Sequence, residues 1–184
     1  MLDAIRSDDN LYGEALAVAL LVVPWLLAMY AMWRGLRRRR DRDRDRLGPL
    51  PTIAPPRRPA DGEALYTGTT EGPEVIKRVA IEGLFGRGPC RYWIEPGGLV
   101  FQRARGPIVA ATTVHAVRLA AAHAGRVLAR GRVAVVGWSL GGADVDTGFG
   151  FDDAPYAAAF AAAVANAAGL AVPDGIGRDD KEMK

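Results

Sequence analysis

Cysteine is nearly absent from this sequence. Cys90 stands alone among 184 residues, so no disulfide can form within the chain and no cysteine-based metal site can be built. A lone thiol fits a reducing compartment. Histidine is scarce too. His115 and His123 lie eight residues apart, without a carboxylate or cysteine grouping, which favours satisfied or exposed imidazoles over metal ligands. No G-x-G-x-x-G joins a strand to a helix. Gly83, Gly86 and Gly88 read as turn glycines, and no cofactor is expected. Also missing is a positive excess in the part able to fold. Residues 61–172 hold ten basic and ten acidic side chains, so a nucleic-acid partner loses its electrostatic support. The net charge of +3 originates in residues 15–60, with ten Arg against three Asp, while residues 1–14 carry −3 and residues 173–184 carry −1.

What is present begins with an uncharged run, ALAVALLVVPWLLAMYAMW, at residues 15–33 between Glu14 and Arg34. At ~1.5 Å rise per residue it spans roughly 28 Å, close to the ~30 Å hydrocarbon core of a bilayer. Tyr12 near one end and Tyr30 and Trp33 near the other suit the headgroup layers. Pro24 is expected to kink the helix, which membrane helices tolerate. A cleaved signal peptide needs a basic start and a shorter apolar core; here the start is acidic. Eight Arg follow the run and only Arg6 precedes it, which predicts residues 1–14 outside the cell membrane and the remainder cytoplasmic, a single-pass topology.

After the span comes RGLRRRRDRDRDR, read as a stop-transfer signal and a solvated charge run. Arg37, Arg38, Arg39 and Arg40 would sit at headgroup depth and are the candidate contacts to anionic lipid. Five prolines within residues 49–59 then favour an extended, semi-rigid spacer. The expected division is therefore a linker over residues 34–60, a domain over residues 61–172 and a frayed tail over residues 173–184.

Within that domain, short apolar runs alternate with turn residues. ALYTGTT starts as a strand and is expected to break at Gly68; EVIKRVAIEGL at 74–84 reads as a short helix. The clearest hairpin is RYWIE and LVFQR flanking Pro96, Gly97 and Gly98. PIVAATT, VHAVRLA, GRVLAR and RVAVVGWSL add strands, and ADVDTGFGF follows a turn at Gly141 and Gly142. The pattern predicts a small antiparallel barrel or sandwich. A helix closes the domain, with Asp152 or Asp153 as cap, Pro155 in its first turn, Tyr156, Phe160 and Val164 on one face, and Gly169 after its end.

VAVVGWSLGG contains G-x-S-x-G, with Ser139 where a hydrolase nucleophile would stand. The motif fails its context. A strand-like segment follows it instead of a helix, and no histidine lies after Ser139 as the triad order requires. No catalytic residue is assigned, and Ser139 is read as a strand residue in a hairpin.

Five stretches together resemble a known family: ALYTGTT at 64–70, IKRVAIEGLFGRG at 76–88, RYWIEPGGLVFQR at 91–103, HAGRV at 123–127 and WSLGGADVDTGF at 138–149. The chain is similar to actinobacterial single-pass membrane proteins with a bacterial pleckstrin-homology-like (PH-like) domain, often labelled as transporters or export proteins. The most specific residues are Trp138, Leu140, Gly141, Asp146, Thr147, Gly148 and Phe149, expected to be mainly structural. Where the family pattern usually carries Arg after that Phe, this chain has Gly150. The resemblance implies a strongly bent sheet of about seven antiparallel strands capped by a C-terminal helix, mainly β, and no catalytic residue.

Three functions compete. A tethered, non-enzymatic interaction or scaffold module with an unknown protein partner fits the catalysis-poor domain. A reader of anionic headgroups would need converging cations, for which Lys77, Arg78, Arg103 and Arg105 are the candidates. A role as accessory subunit of a transport assembly would need other chains, because one span cannot form a path.

Overall fold

The computed structural model describes residues 2–72, 77–81, 83–104 and 106–173 and, within these, the side chains of all but residues 2–15, 17 and 126. Two compact units divide the chain, residues 1–41 and 42–184. Helix α1 spans Leu2–Leu47 and includes Pro24. The Arg block, expected as a stop-transfer signal and solvated charge run, is helical. Arg and Leu are strong helix formers, and the interleaved Asp places opposite charges three residues apart, as in Asp43 and Arg46. Val18–Leu47 is long and apolar enough to cross a membrane. Leu20, Leu21, Trp25, Leu27 and Met32 are all exposed on it.

The second unit is built on an antiparallel sheet. Its strands are β1 (Gly62–Glu71), β2 (Gly88–Glu95), β3 (Gly98–Arg103), β4 (Ile108–Ala111), β5 (Val114–Ala120), β8 (Val133–Leu140) and β9 (Ala143–Gly150), in the order β4-β3-β2-β1-β9-β8-β5. Two short strands, β6 (Ala122–His123) and β7 (Arg126–Val127), pair separately. The antiparallel sheet and closing helix are what the sequence pattern predicted, and the seven strands are what the resemblance implied. Glu95 pairs with Gly98 across the expected Pro96 and Gly97 turn. β1 does not break at Gly68. It bulges there against β9 and continues to Glu71, because a bulge keeps both flanks paired. No helix forms in the described part of residues 74–84. Arg78 bridges to Thr70, and Val79 N–H donates to Thr69 C=O, so this segment's backbone is satisfied by β1.

Residues 42–60, expected as a spacer ahead of a domain from residue 61, pack against the sheet. The Leu47 side chain is fully buried in the core. Asp43 accepts from Ala80 N–H at 2.8 Å, and Arg46 forms a two-pronged ion pair with Glu71. Pro51 C=O accepts from Ala110 N–H and Ile53 N–H donates to Ile108 C=O, so residues 51–53 cover the outer edge of β4. Further on, Arg58 C=O accepts from the Trp93 indole at 3.2 Å, and Ala60 packs on Trp93, Val100, Ile108 and Ala110. The Pro-rich stretch is a strap over an apolar outer face that otherwise would meet water.

Helix α2, Ala154–Ala167, packs on the inner face. Asp153 is its N-cap and accepts from Tyr156 N–H at 2.9 Å. Its buried side consists of Ala157, Phe160, Ala161, Val164 and Ala165, whereas Tyr156 is exposed and does not belong to that face as expected. The small alanines let the backbone approach the sheet. Phe160 then reaches Tyr92, Phe151 and Phe149 at ring-centroid distances of 4.7, 5.1 and 5.2 Å.

Candidate functional site

The motif residues lie on the β8–β9 hairpin, where Trp138 pairs with Val145, Ser139 with Asp144 and Gly137 with Asp146. Period-two alternation sends Trp138, Leu140, Val145, Thr147 and Phe149 into the core. Trp138 Nε1–H donates to Thr147 Oγ1 at 2.9 Å, Thr147 and Thr69 hydroxyls meet at 2.8 Å, Thr69 meets Tyr66 at 2.7 Å, and Tyr66 donates to Leu84 C=O at 2.8 Å. An indole only donates, a carbonyl only accepts, and each hydroxyl has one proton. The direction is thereby fixed: Trp138 to Thr147, to Thr69, to Tyr66, to Leu84. Burial pushes the Tyr66 phenol well above its usual range, so it stays a donor.

Gly141 has φ +59°, and a Cβ there would collide with the Leu47 carbonyl. Gly148 lacks room for another reason: a Cβ would strike Thr67 Oγ1 and the His123 ring. Both Thr67 Oγ1 and His123 Nε2 are buried without a hydrogen-bond partner. Burial, then the nearby Arg118 charge, lowers the His123 pKa and keeps the imidazole neutral. At Gly150 a Cβ would meet the tip of the Leu128 side chain.

The outward residues form a polar strip beside β5. Arg118 and Asp146 pair at 2.9 Å, Ser139 Oγ donates to Asp144 at 3.3 Å, and His115 Nε2 stands 3.9 Å from the same Asp144 oxygen. Nucleophilic catalysis needs the imidazole between serine and carboxylate. Here the carboxylate is in the middle, and Ser139 sits in a strand leading into a second strand. The strip flanks the outer edge of β5, which has no strand beside it among the described residues.

Of the four cations proposed from sequence for a headgroup, the three that are described are each engaged with a different partner. Lys77 pairs with Glu71 at 2.8 Å, Arg78 donates to Ala124 C=O, and Arg103 donates to the carbonyls of Gly83, Phe85 and Arg87; Arg105 lies outside the described residues. Sequence reasoning overlooked Arg87, which reaches the same Ala124 carbonyl as Arg78 at 3.0 Å. Arg37, Arg38, Arg39 and Arg40 are exposed on α1, and Arg37 stacks on Trp33 at 4.9 Å. Among the described residues no group of three or more His, Cys, Asp or Glu is placed to hold a metal ion.

Residues 45–165 match the family described as Bacterial PH domain-like. The match begins inside residues 42–60, in keeping with their packing on the sheet. No curated protein and no solved structure matches the chain.

Proposed function

Since the chain belongs to the bacterial PH domain-like family, we propose that it is a membrane-anchored, non-enzymatic interaction module that takes an extended segment of a partner protein on β5. The observation that carries this reading is the asymmetry of the sheet. Residues 51–53 occupy the edge of β4, whereas the edge of β5 has no strand beside it among the described residues. An added strand gains main-chain hydrogen bonds there, and the exposed His115 and the Arg118–Asp146 pair lie where its side chains would be sorted. Residues 15–33 anchor the chain in the cell membrane, the Arg excess keeps the domain cytoplasmic, and Arg37, Arg38, Arg39 and Arg40 contact lipid phosphates. A photo-crosslinking residue in place of His115, in living cells, is expected to trap one cytoplasmic protein, with the adduct lost on Ala116→Pro. The same residue at Val127, exposed on β7 outside the seven-stranded sheet, serves as control. Equal trapping at both positions, or none at His115, would contradict the proposal.

A further inference from the structure

The sheet is split at a second place, separated from β5 by β9 and β8. β1 and β9 are paired only from Leu65 and Gly150 onward. Past Gly150 the chain stays with β8: Phe151 N–H donates to Arg132 C=O at 2.9 Å, and the Asp153 cap then starts α2. β1 stays with β2 instead, through Gly62 opposite Tyr92 and Ala64 opposite Cys90. The two strands part, and a cleft of about 620 Å³ opens where they do. A strand directs alternate main-chain groups to its two sides. Part of the Gly62–Ala64 backbone therefore faces this cleft, with no strand opposite among the described residues.

Aromatic rings and carboxylates line it. Tyr92 and Phe151 have ring centroids 6.3 Å apart, and both pack on Phe160. The Tyr92 hydroxyl lies over Gly62, where a Cβ would come within 2.5 Å of it. Burial, then the Asp61 charge, raises the Tyr92 pKa, so the phenol keeps its proton beside a carboxylate. Tyr156, 68% exposed and outside the core face of α2, is also on this cleft. The charged lining residues are Asp61, Glu63 and Asp152. Asp61 is paired with Arg58 and Glu63 with Arg91, and neither arginine lines the cleft. Asp152 is exposed and has no ion pair among the described residues. Carboxylates repel an acidic peptide or an anionic headgroup. Aromatic walls favour a cation on an apolar stem over a hydrated metal ion.

We propose that this cleft docks a basic segment of a partner protein, one arginine or lysine stem lying on Tyr92, Phe151 and Tyr156 and its cation meeting Asp152. The closed end at Leu65 and Gly150 admits a side chain and does not extend the sheet. The site does not rest on the β5 reading, and its test leaves the β5 edge untouched. The full chain in phosphatidylcholine nanodiscs is titrated at low ionic strength with acetyl-Gly-Arg-Gly-amide. The amide resonances of Gly62, Ala64 and Phe151 are followed, and a second titration uses the same peptide with neutral citrulline in place of arginine. Saturable shifts are expected with the arginine peptide and not with the citrulline peptide. Asp152→Asn and Tyr156→Ala should each weaken binding about threefold or more, and Asp144→Asn, on the β5 side, should leave it unchanged. Asp152 and Tyr156 are exposed and Asp153 remains the cap, so α2 keeps its fold, which unperturbed resonances of Phe160 and Val164 would verify. No shift with the arginine peptide, equal shifts with citrulline, or binding indifferent to both replacements would overturn the proposal.

Discussion

Two fragments, one starting at Arg42 and one at Asp61, test whether residues 42–60 belong to the domain. Both keep every strand and α2. The shorter one loses a fully buried leucine, Leu47, the Asp43 bond to Ala80, the strap bonds to β4 and the cover over Trp93. Removing a buried leucine side chain costs about 2–5 kcal/mol. Each lost hydrogen bond adds on the order of 1 kcal/mol, with allowance for re-solvation of the exposed groups. The floor is therefore set by Leu47, at about 2 kcal/mol. With a urea slope of about 1.5 kcal/mol per molar for a domain of this size, the midpoint of unfolding should fall by more than about 1 M. Tryptophan fluorescence reads it, because Trp93 and Trp138 report from the outer face and the core. Leu47→Ala in the longer fragment should reproduce a large part of the loss. Equal midpoints for the two fragments would show that the seat of Leu47 contributes nothing and that the domain does begin near residue 61.

Trp138→Ala should destabilise the domain by roughly 3–5 kcal/mol, by loss of a buried ring, while its sequence neighbour Ser139→Ala should stay within ~0.5 kcal/mol. A fluorophosphonate adduct on Ser139, abolished by Ser139→Ala, would instead restore the hydrolase reading. Hydrogen bonds from Arg46 and then Lys77 hold the Glu71 carboxyl at about 2, below its usual 4.5. A depressed carboxylate stabilises the fold above its unfolded pKa and loses that contribution as pH falls through its folded pKa. The stability gap between wild type and Arg46→Ala, under about 1 kcal/mol at neutral pH, should close between pH 4.5 and about 2; a gap that persists at pH 2 would contradict it.

The strand order was not readable from the sequence, but most strands were. RYWIE and LVFQR alternate around a Pro-Gly turn, and the two strands of WSLGGADVD announce their own reversal, so local chemistry decided these hairpins. Where tertiary contacts decide, the pattern misled. Composition marked residues 49–59 as a spacer because prolines favour extended chain, yet extended chain is also what fits along a sheet edge and under a tryptophan. Residues 77–81 show no alternation because their partners lie on β1, at Thr69 and Thr70. Tyr156 shares helical spacing with Phe160 but falls in the first turn, outside the contact with the sheet. The motif around Asp146 was recognisable as a unit. Its division into inward Thr147 and outward Asp146 follows from period two once β9 is granted.

Because residues 51–53 take up the edge of β4, each copy of the sheet has a bonding valence of one. Two copies meeting through β5 would consume both free edges and stop as a closed pair, and a partner strand would saturate a copy just as fully. Filament growth requires a second free edge on every copy. The strap denies it by occupying the position. A segment that reads as a passive tether thus covers one end of the sheet in cis.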